Sequence, residues 1–151
     1  MAPSSPPTGH YIVKSVSAKK FIGRSPHEDR SLLPKRVMVL PEDIQAPLLV
    51  FNNSGKETQI STGGAPTAVI DGKLFSILLE VPPGEKWTVE AVPQSGPNRY
   101  IVVTQDKSAG WVLNDNEPET QITVRPLVIG PSDPPFYPDN QVWEIVPAVN
   151  Y

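Results

Sequence analysis

Three observations predict an all-β chain of about twelve short strands. Nineteen prolines and ten glycines in 151 residues break the chain at short intervals and leave little room for long helices. The segments between the breaks are rich in Val, Ile, Thr, Tyr, Phe and Trp, which suit a pleated, half-buried surface. A weak internal repeat then groups these segments in fours.

Taken in order, the first unit holds Tyr11–Val16, Lys20–Arg24, Arg36–Leu40 and Leu48–Asn52. Aromatic and aliphatic residues dominate each: Tyr11-Ile12-Val13, Phe21-Ile22, Val37-Met38-Val39-Leu40 and Leu48-Leu49-Val50-Phe51. The second unit holds Thr58–Ser61, Ala68–Ile70, Leu74–Leu79 and Trp87–Val92. Its third segment contains the run Phe75-Ser76-Ile77-Leu78-Leu79, and a short apolar run does not by itself distinguish strand from helix. The third unit holds Tyr100–Thr104, Gly110–Leu113, Gln121–Leu127 and Gln141–Val146.

The repeat shows at both ends of the units. Gly9-His10-Tyr11-Ile12-Val13 resembles Asn98-Arg99-Tyr100-Ile101-Val102, with Thr58-Gln59-Ile60-Ser61 between them. Leu48–Phe51, Lys86–Pro93 and Val142–Pro147 are alike at the other end. The spacing is irregular, roughly 40 to 55 residues. Three units of four strands predict a β-trefoil, whose six-stranded barrel is closed by three hairpins and leaves few free edges. A β-sandwich is the competing architecture. The expected organisation is a loose tail over residues 1–9, where Pro3, Pro6 and Pro7 cannot donate to a ladder, followed by one domain over 10–151.

Composition narrows the function classes. Lys and Arg number 13 against 16 Asp and Glu, a net charge of −3, and the only basic clusters are the pairs Lys19-Lys20 and Lys35-Arg36. Such pairs are too small for a phosphate-tracking face, so no nucleic-acid partner is expected. There are no cysteines, which excludes a disulfide framework, a thiolate metal site and a cysteine nucleophile together. A cysteine-free chain suits a reducing compartment, and the N-terminal stretch does not read as a secretory signal. No run of 18 apolar residues exists, so no membrane partner is expected either. Asn52-Asn53-Ser54 matches a glycosylation acceptor but reads as an ordinary turn. A monomer without cofactor or metal is the resulting expectation.

No catalytic motif emerges. His10 and His27 lie outside any HExxH pattern, and no Gly-x-Ser-x-Gly elbow occurs. Ser25-Pro26-His27-Glu28-Asp29 contains the residue types of a triad, but immediate neighbours do not readily adopt its geometry. Asp115-Asn116-Glu117-Pro118-Glu119 lacks the alternation and glycine of a calcium loop. Gly63-Gly64-Ala65-Pro66 has no lysine or following helix to make it a phosphate loop.

Loop chemistry remains. Residues Ser25 to Pro34 form a long connection between two predicted strands, with Arg30 in the middle beside Ser31. Trypsin-like proteases place a carboxylate at the base of their primary pocket, which an arginine side chain fills. An inhibitor of such enzymes needs an exposed arginine on a backbone that does not relax. Pro26 and Pro34 fix φ on both sides, and Glu28 or Asp29 can brace the loop by accepting backbone N–H bonds. The loop offers Asp29-Arg30-Ser31 as a candidate reactive segment, with Arg24-Ser25 as a second cleavable-looking bond. The plainer alternative is an arginine that sits in water or pairs with a neighbouring acid.

Several stretches resemble one family: Phe21-Ile22-Gly23-Arg24, Glu28 to Val37, Gly63 to Thr67, Ala109-Gly110-Trp111-Val112 and Pro134-Pro135-Phe136-Tyr137-Pro138. The ordered set, spanning Tyr11 to Pro147, is similar to the basidiomycete β-trefoil serine protease inhibitors of the cospin and cnispin group. The resemblance implies a β-trefoil, cytoplasmic storage, and defence against trypsin-like digestive enzymes. In the cospin-like mode the reactive arginine lies between the second and third strands, which here offers Arg30, with Arg24 in reserve. In the cnispin-like mode a lysine precedes the last strand; the corresponding segment, Ile129 to Asn140, holds neither Lys nor Arg.

Two other functions stay open. Gln141-Val142-Trp143 matches the Gln-x-Trp signature of ricin-like lectins, although Trp87 lacks the matching glutamine. Inhibition of papain-like or legumain-like cysteine proteases is the other. For legumain an asparagine turn would serve as bait, at Asn52-Asn53, Asn98 or Asn114-Asp115-Asn116.

Overall fold

Alternation decides which face of each strand turns inward. Along Gly9–Ser15, residues Tyr11, Val13 and Ser15 are buried while His10, Ile12 and Lys14 face outward. The computed structural model describes residues 6–25, 27–55, 57–79 and 83–148. Among them are twelve strands: β1 Gly9–Ser15, β2 Ile22–Arg24, β3 Lys35–Val39, β4 Leu49–Asn53, β5 Thr58–Thr62, β6 Ala65–Ile70, β7 Lys73–Ser76, β8 Lys86–Ala91, β9 Arg99–Thr104, β10 Gly110–Val112, β11 Thr123–Arg125 and β12 Trp143–Pro147.

Six of them close into a ring. β1 pairs with β4, β4 with β5, β5 with β8, β8 with β9, β9 with β12, and β12 with β1, every pair antiparallel. The other six form three hairpins, β2–β3, β6–β7 and β10–β11. The hairpins join one another through β3–β7, β7–β11 and a bridge from Met38 to Gln121. Each four-strand unit therefore gives two strands to the barrel and one hairpin to its cap. This is the β-trefoil, and the sandwich alternative is excluded by the closed ring.

The core lies where barrel and cap meet. Trp87, Trp111 and Trp143 are fully buried there and stack edge to face, with ring centroids 5.5 and 6.1 Å apart. The Trp87 indole N–H donates to Thr67 Oγ1 at 2.9 Å, and that of Trp143 to the Trp111 carbonyl at 3.3 Å. Tyr11, Val13, Phe51, Ile60 and Ile145 pack the barrel beneath them.

Several boundaries differ from expectation. Residues 1–5 of the expected tail lie outside the described residues, but residues 6–9 are anchored. Pro6 is buried, its carbonyl accepts from Asn53 Nδ2 at 2.9 Å, and Gly9 already pairs with Phe51. Prolines there supply acceptors even though they donate nothing. β7 stops at Ser76 because the chain turns at Ile77, whose N–H donates to the Pro66 carbonyl. β11 is confined to Thr123–Arg125, with Pro126 following and Gln121 lying outside the strand, bridged to Met38 and donating its amide to the Leu74 carbonyl at 2.8 Å. Gln141 belongs to a single 3-10 turn, Asp139–Gln141, so the last strand begins at Trp143.

Candidate functional site

The connection between β2 and β3 is pinned at its base and open at its tip. Arg24 pairs with Val37 and Lys35 with Ser76, which fixes where the loop leaves and rejoins the cap. Arg24 is engaged throughout. Its Nε donates to Glu28 Oε2 at 2.9 Å, one terminal nitrogen to Glu28 Oε1 at 2.7 Å, and the other to the Thr62 carbonyl at 3.4 Å. The hydrogen bonds to Glu28 hold the guanidinium pKa above its ordinary value. Gly63 makes room for this: a Cβ there would lie 2.7 Å from the Arg24 terminal nitrogen. Of the two acids expected to brace the loop, Glu28 does so through Arg24, and the backbone N–H is accepted by Asp29.

At the tip, Asp29 closes a local turn around Arg30. Its Oδ1 accepts the Ser31 backbone N–H at 3.0 Å and the Ser31 hydroxyl at 2.6 Å. Lys35 lies beneath. Its Nζ donates to Asp29 Oδ1 at 2.6 Å, to the Asp29 carbonyl at 3.1 Å and to Ser31 Oγ at 3.3 Å. The Lys35 ammonium, with the two Ser31 donors, holds the Asp29 carboxyl well below the usual carboxylate range. Arg30 stands between these two anchored neighbours. It is exposed, and among the described residues no ion pair or hydrogen bond engages its guanidinium, its N–H or its carbonyl. Leu32 and Leu33 follow it with 59% and 66% of their surface in solvent.

The expected site residues therefore separate into two groups. Asp29, Arg30 and Ser31 form one braced, outward-facing segment. Arg24 and Glu28 are spent on each other, while the Ser25 hydroxyl accepts the His27 N–H at 3.0 Å. Pro34 is partly buried where the loop enters β3; Pro26 lies outside the described residues. Glu28 and Asp29 are both committed away from His27, so the triad residue types do not assemble.

Lys35 is the site residue that sequence reasoning missed, because it reads as half of a surface basic pair. Period-two alternation marks it: Lys35, Val37 and Val39 share the inward face of β3 while Arg36 points out. Only 6% of Lys35 is exposed, and a lysine so buried requires acceptors.

The other candidate sites look different. In the segment Ile129 to Asn140, Phe136 is exposed, but its N–H donates to the Gly130 carbonyl and its carbonyl accepts from the Gly130 N–H at 2.7 Å. Both main-chain groups that a substrate-like residue would offer are thus used internally. Trp143 is fully buried, and Gln141 holds Val128 through both its amide oxygen, at 2.7 Å, and its nitrogen, at 2.8 Å. The Gln-x-Trp stretch is therefore core and loop support, not an exposed sugar platform.

Comparison with known proteins gives consistent results. The family model for peptidase inhibitor I66 matches residues 4–147. A serine protease inhibitor from Lentinula edodes is 40% identical over 140 residues, covering 92% of this chain and 96% of its own length. The solved structure of a proteinase inhibitor from Coprinopsis cinerea superposes with a TM-score of 0.90 at 39% identity, covering 95% of this chain and all of that one. A ricin B-like lectin from Macrolepiota procera, solved with lactose, matches at a TM-score of 0.68 and 15% identity, covering 98% and 99% of the two chains. That likeness extends to the fold alone.

Proposed function

The chain belongs to the peptidase inhibitor I66 family, and from that premise we propose that it inhibits trypsin-like serine proteases by presenting Arg30 as a substrate-like residue. The observation that carries this reading is the contrast between Arg30 and its surroundings: a free guanidinium on a loop whose flanking residues are tied down.

The side chain reaches an acidic primary pocket while the Arg30 carbonyl points to the protease's oxyanion-stabilising N–H groups. Among the described residues neither main-chain group of Arg30 has a partner, which leaves both for those contacts. The turn at Asp29–Ser31 and the Lys35 anchor hold the backbone in place before docking, which reduces the entropy lost on binding. Fully desolvated arginines are frequent hot spots, so removing this one costs about 4 kcal/mol, or roughly a thousandfold in affinity.

The test is Arg30→Ala assayed against a panel of trypsin, chymotrypsin, papain and legumain. Trypsin inhibition is expected to weaken by roughly a thousandfold with an unchanged circular dichroism spectrum. An inhibition constant equal to that of the parent protein excludes Arg30 as the primary contact.

A further inference from the structure

We infer that Lys35 is a positioning residue that keeps the Arg30–Ser31 bond re-formable once a protease has cut it, so that the protein persists as an inhibitor and is not consumed as a substrate. This rests on the reading of Arg30 as the substrate-like residue.

In a substrate-like encounter the protease serine oxygen attacks the Arg30 carbonyl carbon. The bond from that carbon to the Ser31 nitrogen breaks, and the protease histidine passes a proton to the departing amine. Turnover then requires the amine to leave and water to take its place at the acyl carbon. Here the departing nitrogen is the one whose N–H is held by Asp29 Oδ1 at 3.0 Å. Asp29 is covalently joined to Arg30 on the acyl side. Lys35 holds that side by the Asp29 carbonyl and carboxylate, and the amine side by Ser31 Oγ. One ammonium, fixed in the cap and almost without solvent contact, therefore grips both sides of the cut. The retained amine attacks the acyl carbon, the bond from that carbon to the protease serine oxygen breaks, and the histidine takes the amine's proton and returns it to the serine oxygen as the peptide bond re-forms. Well-oriented intramolecular nucleophiles reach effective molarities of about 10⁵ M or more, so a tethered amine outcompetes water.

The chain contains its own comparison. Asp106-Lys107-Ser108 repeats the order acid, cation, serine, and Asp106 Oδ1 likewise accepts the Ser108 N–H at 3.0 Å and hydroxyl at 2.8 Å. Among the described residues no buried lysine holds that turn; the third hydrogen bond to Asp106 Oδ1 comes from the Thr104 hydroxyl. The turn therefore forms without such a residue, and what Lys35 adds is the link between the two halves and the cap.

The experiment incubates intact protein with catalytic amounts of trypsin and follows Arg30–Ser31 cleavage by mass spectrometry and residual inhibition over time. Lys35→Met, matched in length and apolar, is expected to be cleaved at least about tenfold faster, with inhibition that decays as cleavage proceeds. The effect falls on the cleavage rate more than on initial binding. Ile60→Val, a barrel-core variant remote from the loop, serves as the control for lost stability. Folded Lys35→Met cleaved no faster than the parent, or no faster than Ile60→Val, overturns the inference. Should Lys35→Met fail to fold, Asp29→Ala carries the same test at an exposed position, and an unaltered cleavage rate there overturns it equally. Arg30→Ala separates the two levels. If it still inhibits trypsin like the parent, the reactive-site reading fails; if it does not, and the brace variants show no acceleration, only the role of Lys35 fails.

Discussion

Replacing Arg24 with alanine separates the two arginines of the first hairpin, because Arg24 is paired within the domain while Arg30 is exposed and, among the described residues, unpaired. Arg24 and Glu28 form a two-point pair at 2.9 and 2.7 Å, with only 20% and 18% of their side chains exposed. Truncating Arg24 removes two charge-assisted hydrogen bonds and strands a largely buried carboxylate. Loss of such a pair costs about 1–3 kcal/mol. A domain of this size shifts by roughly 2–4 °C per kcal/mol, so a cost near 2 kcal/mol lowers Tm by about 4–8 °C. Arg30 itself is untouched, and Asp29, Ser31 and Lys35 keep their bonds to one another. Trypsin inhibition at 25 °C is therefore expected to remain within about tenfold of the parent, far from the thousandfold assigned to Arg30. Thermal melts followed by circular dichroism and an inhibition titration on the same preparation give both numbers. An unchanged Tm with inhibition abolished refutes the reasoning: Arg24 would then be the protease contact and its pair with Glu28 an idle one.

Two further outcomes follow from the same geometry. The Asp29 carboxyl is depressed in the folded chain, so its stabilising effect is complete above its ordinary value of 3.8 and fades as pH falls toward the depressed one. The Tm gap between parent and Asp29→Asn should accordingly be widest above about pH 4 and close on further acidification; a gap that widens in acid contradicts this assignment. Lys107→Ala should leave trypsin inhibition unchanged, because Lys107 sits at φ 61°, donates its N–H to the Thr104 carbonyl and pairs its ammonium with Glu90 at 2.7 Å. A large loss of inhibition in that variant would move the reactive site to the β9–β10 turn.

Fold and site were legible to different degrees, for physical reasons. All twelve strands follow from short β-rich segments between prolines and glycines, since those residues act locally on the backbone. The ends were less legible wherever tertiary contacts override local preference, as at Ile77, which leaves the strand to bond Pro66, and at Gln141, whose amide is needed to hold Val128. Within the site, the Asp29–Ser31 turn is visible in sequence because its partners are two residues apart. The Arg24–Glu28 pair was assigned a different role, since spacing alone does not reveal whether a carboxylate finds a backbone N–H or a guanidinium. Lys35 was hidden by its charge: a lysine invites a solvent-facing reading, and only its phase with Val37 and Val39 shows otherwise.

The threefold scaffold makes the choice of loop an argument in itself. The hairpins β2–β3, β6–β7 and β10–β11 occupy equivalent places in the cap, so their connections are three versions of one position. β6–β7 uses the two-residue turn Asp71-Gly72, too short to project anything into a protease cleft. The β10–β11 connection is long and exposed over residues 114–119, but its charges are Asp115, Glu117 and Glu119, which an acidic primary pocket repels. The β2–β3 connection combines length, a cation without a partner among the described residues and a buried ammonium under the backbone. The barrel and the tryptophan cluster do not distinguish these loops, and the same fold carries a lactose-binding lectin at a TM-score of 0.68. On the proposed reading, exchanging residues 27–34 for a short turn should therefore cost inhibition while the ring of six strands stays closed.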